Sequence, residues 1–296
     1  MLSVRANSQV HGVRIGVQTY VFTASVNIPH ERVVDVAIQA MRDSGVGECD
    51  LFAPIVEPAD FWTALQSAHQ AAHSAPDNPK AAAALTGARE RLAAWRTSVP
   101  LDHYGSYRKR FNDAGIEVHA ISGFPASTAA EFKRTLEIAG VLGARLITLG
   151  VDMPTAKMLA PVAREHDVLI GFQGSPDLTV ANPDVIAQPS QFLEVAELAK
   201  NYRISLDIGD AVGGGWDVLP FIEGHPERIA LIYLKDRRKD RLSVPWGQGD
   251  TPVREVLRFI RDRHRAIRCY IDCDYKSDDR PGDIKRSMEY IKAALA

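Results

Sequence analysis

The chain has 296 residues, 46% of them hydrophobic and 24% charged, an ordinary globular composition with ample length for a full core. A formal net charge of -2 gives no electrostatic footprint for a nucleic acid partner. No segment approaches the roughly 18 apolar residues a membrane helix needs, and the first twelve residues, MLSVRANSQVHG, lack the apolar heart of a signal peptide, so no membrane partner and a cytoplasmic setting are expected.

In chain order, strands alternate with helices. RIGVQTYVF (14–22) predicts a first strand, and PHERVVDVAIQAMRDSG a helix, with Val33, Val34, Ala37, Ile38 and Met41 at helical spacing and Gly45 as its stop. GVGECDLF is the second strand. A long helical region, 60–96, is interrupted around SAPDNP, and its part KAAAALTGARERLAAW is rich in strong helix formers. Another helix, LDHYGSYRKRFNDAG, leads to the third strand, IEVHAIS. TAAEFKRTLEIAGVLG and ARLITLGVD give a helix and the fourth strand; 153–166 is helical, and DVLIGFQGS is the fifth strand. SQFLEVAELAKNY precedes the sixth, ISLDIGD, and IALIYLKD is the seventh. TPVREVLRFIRDRH opens with Thr251 as N-cap and Pro252 at the first helical position. RCYIDCDY is the eighth strand, and DIKRSMEYIKAALA closes the chain as an amphipathic helix. Eight such repeats predict a single (β/α)8 TIM barrel over 13–296 behind an N-terminal tail, 1–12. No GxGxxG follows the first strand, which disfavours a dinucleotide-binding open sheet.

A parallel barrel carries its chemistry at the carboxyl ends of its strands. The polar residues standing near strand ends are Gln18, Tyr20, Glu48, Asp50, His119, Asp152, Gln173, Ser175, Asp207, Asp210, Tyr233, Lys235, Asp272 and Asp274. Facing carboxylates can hold a divalent ion or divide acid and base roles by shifting each other's pKa. Cys49, Cys269 and Cys273 show no metal-type spacing and read as buried thiols. His103, His166 and His264 read as surface or core histidines, while His119, on a strand, keeps a chance of touching substrate. Trp246 either stacks on the apolar face of a ligand or caps the barrel mouth. The basic run KDRRKDR (235–241) could grip a phosphate, but its interleaved Asp236 and Asp240 favour a solvated loop. Gly213 to Gly215 permit a tight loop after the sixth strand.

The stretches GVGECDLFAPIVEP, LDIGDAVGGGWD, YLKDRRKD, VPWGQGDTPVREVL and YIDCDYKS resemble the sugar phosphate isomerase/epimerase family with its xylose isomerase-like barrel, from about residue 13 to the C-terminus. KDR followed by VPWGQGDTP is the most specific part. The resemblance implies a carbohydrate partner, a keto-sugar, sugar derivative or polyol, and isomerase, epimerase or related lyase chemistry in which a divalent ion polarises a carbonyl. It implies metal ligands at the ends of the fifth to eighth strands, where this chain holds Gln173, Asp207, Tyr233 and Asp272. Only Asp207 is the residue the family pattern calls for. Asp210 replaces a second family histidine.

Neutral Tyr233 is a poor ligand and Gln173 offers only a neutral oxygen, so tight binding of manganese, zinc or magnesium is not expected and no cofactor is assigned. Lys235 is then the candidate stand-in cation, with Asp207 or Asp272 moving a proton, making Asp207, Lys235 and Asp272 the expected catalytic set. Gln173, Asp210, Tyr233, Trp246 and Asp274 are the expected substrate contacts. The alternative is a catalytically silent sugar-binding or partner subunit on the same barrel. Related barrels also cleave abasic DNA with a zinc cluster, but the ligands for one are missing here. A homodimer is expected by analogy alone.

Overall fold

The computed structural model describes residues 8–23, 28–175, 177–263 and 266–296. Eight parallel strands close into a barrel: β1 (Val13–Gln18), β2 (Glu48–Phe52), β3 (Glu117–Ser122), β4 (Leu146–Leu149), β5 (Leu169–Phe172), β6 (Tyr202–Asp207), β7 (Ile229–Leu234) and β8 (Arg268–Ile271). Closure is made where β1 pairs with β8, Ile15 opposite Cys269 and Val17 opposite Ile271. Of the stretch read as a tail, residues 1–7 lie outside the described residues. From Ser8 the backbone forms a hairpin, Gln9 and Val10 pairing antiparallel with Arg14 and Val13. His264, read above as a surface or core histidine, also lies outside the described residues. Among them, no helix is long and apolar enough to cross a membrane.

The strands are mostly apolar because each is covered on both faces. Outward residues such as Ile15, Leu51, Ile147, Ile170, Leu206 and Ile232 meet the ring of helices. Inward, Ala120, Leu146, Leu231, Tyr233 and Tyr270 form a second, smaller cluster that plugs the barrel. Tyr270 reaches that position because β1 has a glycine beside it. A Cβ at Gly16 would stand 2.3 Å from Cε1 of the Tyr270 ring.

The helical region 60–96 is two helices, Ala59–Ser74 and Pro79–Ser98, the break falling at the predicted SAPDNP; Asn78 caps the second by accepting from the Lys80 amide. After β6 the interval before β7 holds two short helices, Ile208–Gly213 and Val218–Gly224. The helix expected to start at Pro252 runs Val253–Arg263. Thr251 does other work than the capping assigned to it: its hydroxyl accepts from the Arg237 amide at 3.0 Å, tying the loop before the helix to the end of β7.

Two register shifts interrupt the ladder. Cys49 pairs with Val118 but Asp50 with Ala120, leaving His119 as an extra residue in β3. Ile204 pairs with Ile229 but Ser205 with Leu231, leaving Ala230 as an extra residue in β7. A bulge of this kind re-aims one side chain relative to strict alternation.

Candidate functional site

The carboxyl ends of the strands surround a cavity of about 500 Å³, within the range of small-molecule sites. Its charged wall is Asp210, Lys235, Arg237, Asp272 and Asp274. Its neutral polar groups are Gln18, Tyr20, Ser122, Thr148 and Gln173, and Phe52 and Phe124 add apolar surface.

Lys235 stands at the centre of the charged wall. It follows β7 directly, so strand geometry delivers it to the mouth, and its stem packs over Gly209, where a Cβ would lie 2.8 Å from Lys235 Cγ. Its ammonium is 2.8 Å from Asp207 Oδ2, 3.1 Å from Asp274 Oδ2, 3.2 Å from Asp272 Oδ2 and 3.5 Å from Asp210 Oδ1. An ammonium has three protons for these four acceptors, so the longest contact is the weakest. Arg237 adds a second cation, reaching Asp210 Oδ1 at 2.7 Å and Asp274 Oδ2 at 3.2 Å.

Burial disfavours the Lys235 charge, but the four carboxylates outweigh it and hold the pKa well above the ordinary lysine value. Burial and the Asp207 charge push Asp210 above the usual carboxylate range. Asp272 is likewise raised, chiefly by burial, with Lys235 opposing. Burial also acts on Asp274, but the less enclosed carboxyl is kept below its ordinary value by Lys235, Ser243 and Arg237. One oxygen of Asp272, Oδ1, is buried and has no hydrogen-bond partner.

Beneath the cavity runs a line of polar side chains through the barrel interior. Tyr233 donates to Asp50 Oδ2 at 2.5 Å, its oxygen is 3.1 Å from Thr148 Oγ1, and Thr148 is 3.0 Å from Ser205 Oγ. Asp50 is fully enclosed, and burial raises its carboxyl to about 6 against the hydrogen bond from Tyr233.

The VPWGQGDT stretch owes its shape to a buried carboxylate. Asp236 Oδ2 accepts from the Gly247 and Gly249 amides at 2.7 and 3.0 Å, and Oδ1 from the Thr251 amide at 3.3 Å. A Cβ at residue 249 would stand 2.1 Å from Asp236 Oδ1, which is why glycine is required there. This loop fixes the segment carrying Lys235 and Arg237.

The structure brings together Lys235, Asp207, Asp210, Asp272 and Asp274, and places Gln173 on the same cavity. Asp207 lies behind the wall: Oδ1 caps the helix Ile208–Gly213 by accepting from the Asp210 amide at 2.9 Å, and Oδ2 is held by Lys235. Several expectations need correction. Tyr233 is fully buried, with its hydroxyl committed to Asp50 and Thr148, and does not line the cavity. Trp246 also lies off the cavity, edge-on to Tyr290 at 5.8 Å between ring centroids, so its indole packs on the C-terminal helix. His119 and Glu48 belong to the opposite end of the barrel. Glu48 is the first residue of β2 and binds Arg14 and Arg268 at 3.1 and 3.2 Å. Asp152 caps the helix Met153–Ala163 through the Thr155 amide, and Ser175 accepts from the Asp177 amide.

Arg237 is the site residue that the sequence reading left in a solvated loop. Its signal was position: two residues beyond Lys235. Ser122 and Thr148 were also missed; each ends or nearly ends its strand.

No protein-family model and no curated protein sequence matches this chain. Solved structures do. An L-ribulose 3-epimerase superposes with a TM-score of 0.62 at 15% identity, over 96% of this chain and 94% of that one. A sugar phosphate isomerase/epimerase from Parabacteroides distasonis ATCC 8503 gives 0.60 at 14% identity, over 100% and 99%. A xylose isomerase domain protein from Planctomyces limnophilus gives 0.59 at 14% identity, over 95% of each chain. At these identities the likeness establishes the fold, a (β/α)8 TIM barrel.

Proposed function

We propose that the mouth of this barrel binds an open-chain keto-sugar or related polyol and moves a proton on the carbon beside its carbonyl, with Lys235 as the cation and Asp272 as the base. The observation that carries this is the pairing of a buried ammonium with a carboxylate whose second oxygen is unpartnered, both on the cavity wall. A raised carboxyl pKa suits a group that must take up and return a proton near neutrality. The amides and hydroxyls of Gln18, Ser122, Thr148 and Gln173 suit a polyhydroxylated ligand.

In this reading the substrate oxygen displaces the weakest acceptor of Lys235, Asp210. The C–H bond breaks, the proton passes to Asp272, and the electron pair moves onto the carbonyl oxygen as an enediolate facing the ammonium. Return of the proton from Asp272 to the former carbonyl carbon, as the hydroxyl proton of the enediolate passes to the former carbonyl oxygen, isomerises the sugar; epimerisation instead requires a second acid to deliver a proton to the opposite face of the carbon that lost one.

The fold family implies a divalent ion, and the residues here do not fit one. Asp207 and Asp272 already face an ammonium, Tyr233 is turned to Asp50, and Gln173 is neutral. Among the described residues, no group of three or more His, Cys, Asp or Glu side chains could hold a metal ion. A cation fixed at the focus of the carboxylates repels a second one.

The test is deuterium uptake from heavy water into a panel of ketopentoses and ketohexoses, followed by proton NMR with chelator present. Uptake that is lost in Lys235→Met and in Asp272→Asn is the expected result. Saturable sugar binding with no uptake by the unmodified protein would dismiss the chemistry and leave a sugar-binding barrel, the reading favoured by the carboxylates already engaging Lys235 and Arg237.

A further inference from the structure

The amino-terminal end of the barrel holds a second cavity, of about 640 Å³, on the far side of the interior plug from the mouth. Its apolar walls are Leu146, Leu169, Ile229, Ala230 and Ile267, and His119, Arg145, Arg203 and Arg268 bring nitrogen donors to it. From this geometry we infer a separate binding site for a small amphipathic anion, a flat apolar body bearing one carboxylate or similar acid group.

Three observations converge on that ligand. First, both register shifts of the barrel occur here, for the extra residues they create, His119 and Ala230, both line this cavity. Bulges cost ladder hydrogen bonds and collect beside sites where a side chain must be re-aimed. Second, His119 is 6% exposed, and its Nδ1 is buried without a hydrogen-bond partner; Glu117, the nearest acid, is 3.8 Å from it. A buried polar atom left unsatisfied calls for an explanation. Third, the field around the imidazole is positive. Burial, then Arg268, Arg145 and Arg14, push its pKa down to about 3, so the ring is neutral at every physiological pH.

The carboxylates nearby offset part of that field: Glu48 pairs with Arg14 and Arg268, and Glu117 lies 4.0 Å from Arg145. Asp167 and Glu227 on the rim are exposed to water, which screens them. Arg203 spends one terminal nitrogen on the Lys200 and Tyr202 carbonyls. Arg145, with 76% of its side chain exposed, is the guanidinium most free to turn onto a ligand.

The experiment uses the full-length protein and two isosteric probes, 2-naphthoate and uncharged 2-naphthamide, titrated by calorimetry. Naphthoate binds one to one and naphthamide about tenfold more weakly, the loss of one charge-assisted hydrogen bond. Arg145→Glu weakens naphthoate by at least a similar factor, and naphthoate shifts the His119 ring resonance in the unmodified protein. Absence of saturable binding, equal affinity for the two probes, an Arg145→Glu affinity equal to that of the unmodified protein, or a motionless His119 signal would each overturn the inference. The His119 resonance and the probe comparison need no variant, so they decide the matter even if the substitution disturbs folding.

Discussion

Replacing Lys235 with methionine keeps most of the apolar stem and deletes the ammonium. Asp210 and Asp274 keep Arg237, while Asp207 and Asp272 lose the cation that stands 2.8 and 3.2 Å away. Removing one partner from a buried ion pair costs about 3–5 kcal/mol, because the stranded charges stay desolvated. The size of this loss depends on pH. Asp210 and Asp272 already have raised pKa values in the native state, so the folded protein binds protons more tightly than the unfolded chain, and their contribution to stability falls as pH rises through the native values. Deleting the ammonium raises those values further and extends the fall to higher pH. Urea unfolding of Lys235→Met against the unmodified protein therefore shows a deficit of about 3–5 kcal/mol at pH 8 that shrinks at pH 5, where the stranded carboxylates take up protons. A deficit of the same size at both pH values, or none at pH 8, would refute the claim that this ammonium compensates four buried carboxylates.

Asp50→Asn removes the pH dependence carried by a carboxyl raised from 3.8 to about 6. The unmodified protein loses about 3 kcal/mol of stability from this group as pH rises from about 4 to about 6, and the variant lacks that slope in urea titrations across the same window. Asp236→Ala leaves the Gly247, Gly249 and Thr251 amides without their acceptor. A loss of about 3 kcal/mol, with faster amide hydrogen exchange at Gly247 and Gly249, is expected, and unchanged exchange would show the loop to be held by other contacts. Gly16→Ala sets a methyl group against the Tyr270 ring and lowers stability by about 1–3 kcal/mol, read as a lower midpoint of thermal unfolding.

The barrel was legible because its strands are short apolar runs and its helices carry apolar stripes at helical spacing, two periods that do not mimic each other. The interruption at SAPDNP was equally plain, since proline and asparagine there end one helix and cap the next. The site was legible along β6, β7 and β8, where polar residues follow apolar runs without a break. It was not legible where depth in the barrel matters. Glu48 and Asp50 lie two residues apart on one strand, yet one closes the amino end with two arginines and the other is sealed under the mouth. His119 was unreadable for another reason. Its orientation comes from a register shift against β2, a property of two strands that no single-strand pattern contains. Tyr233 shows the same limit: its place near the end of the seventh strand put it among the expected substrate contacts, but only the neighbouring Asp50 shows that its hydroxyl is already engaged.

Lys235 carries its charge on a stem of four methylenes bonded to the chain, and that covalent tether changes what kind of component the cation is. A cation that is part of the polypeptide has no dissociation constant. It is present at one equivalent from the moment of synthesis and cannot be exchanged for another ion. Its strength is also fixed at a single unit of charge, and it is set at the meeting point of three successive strands.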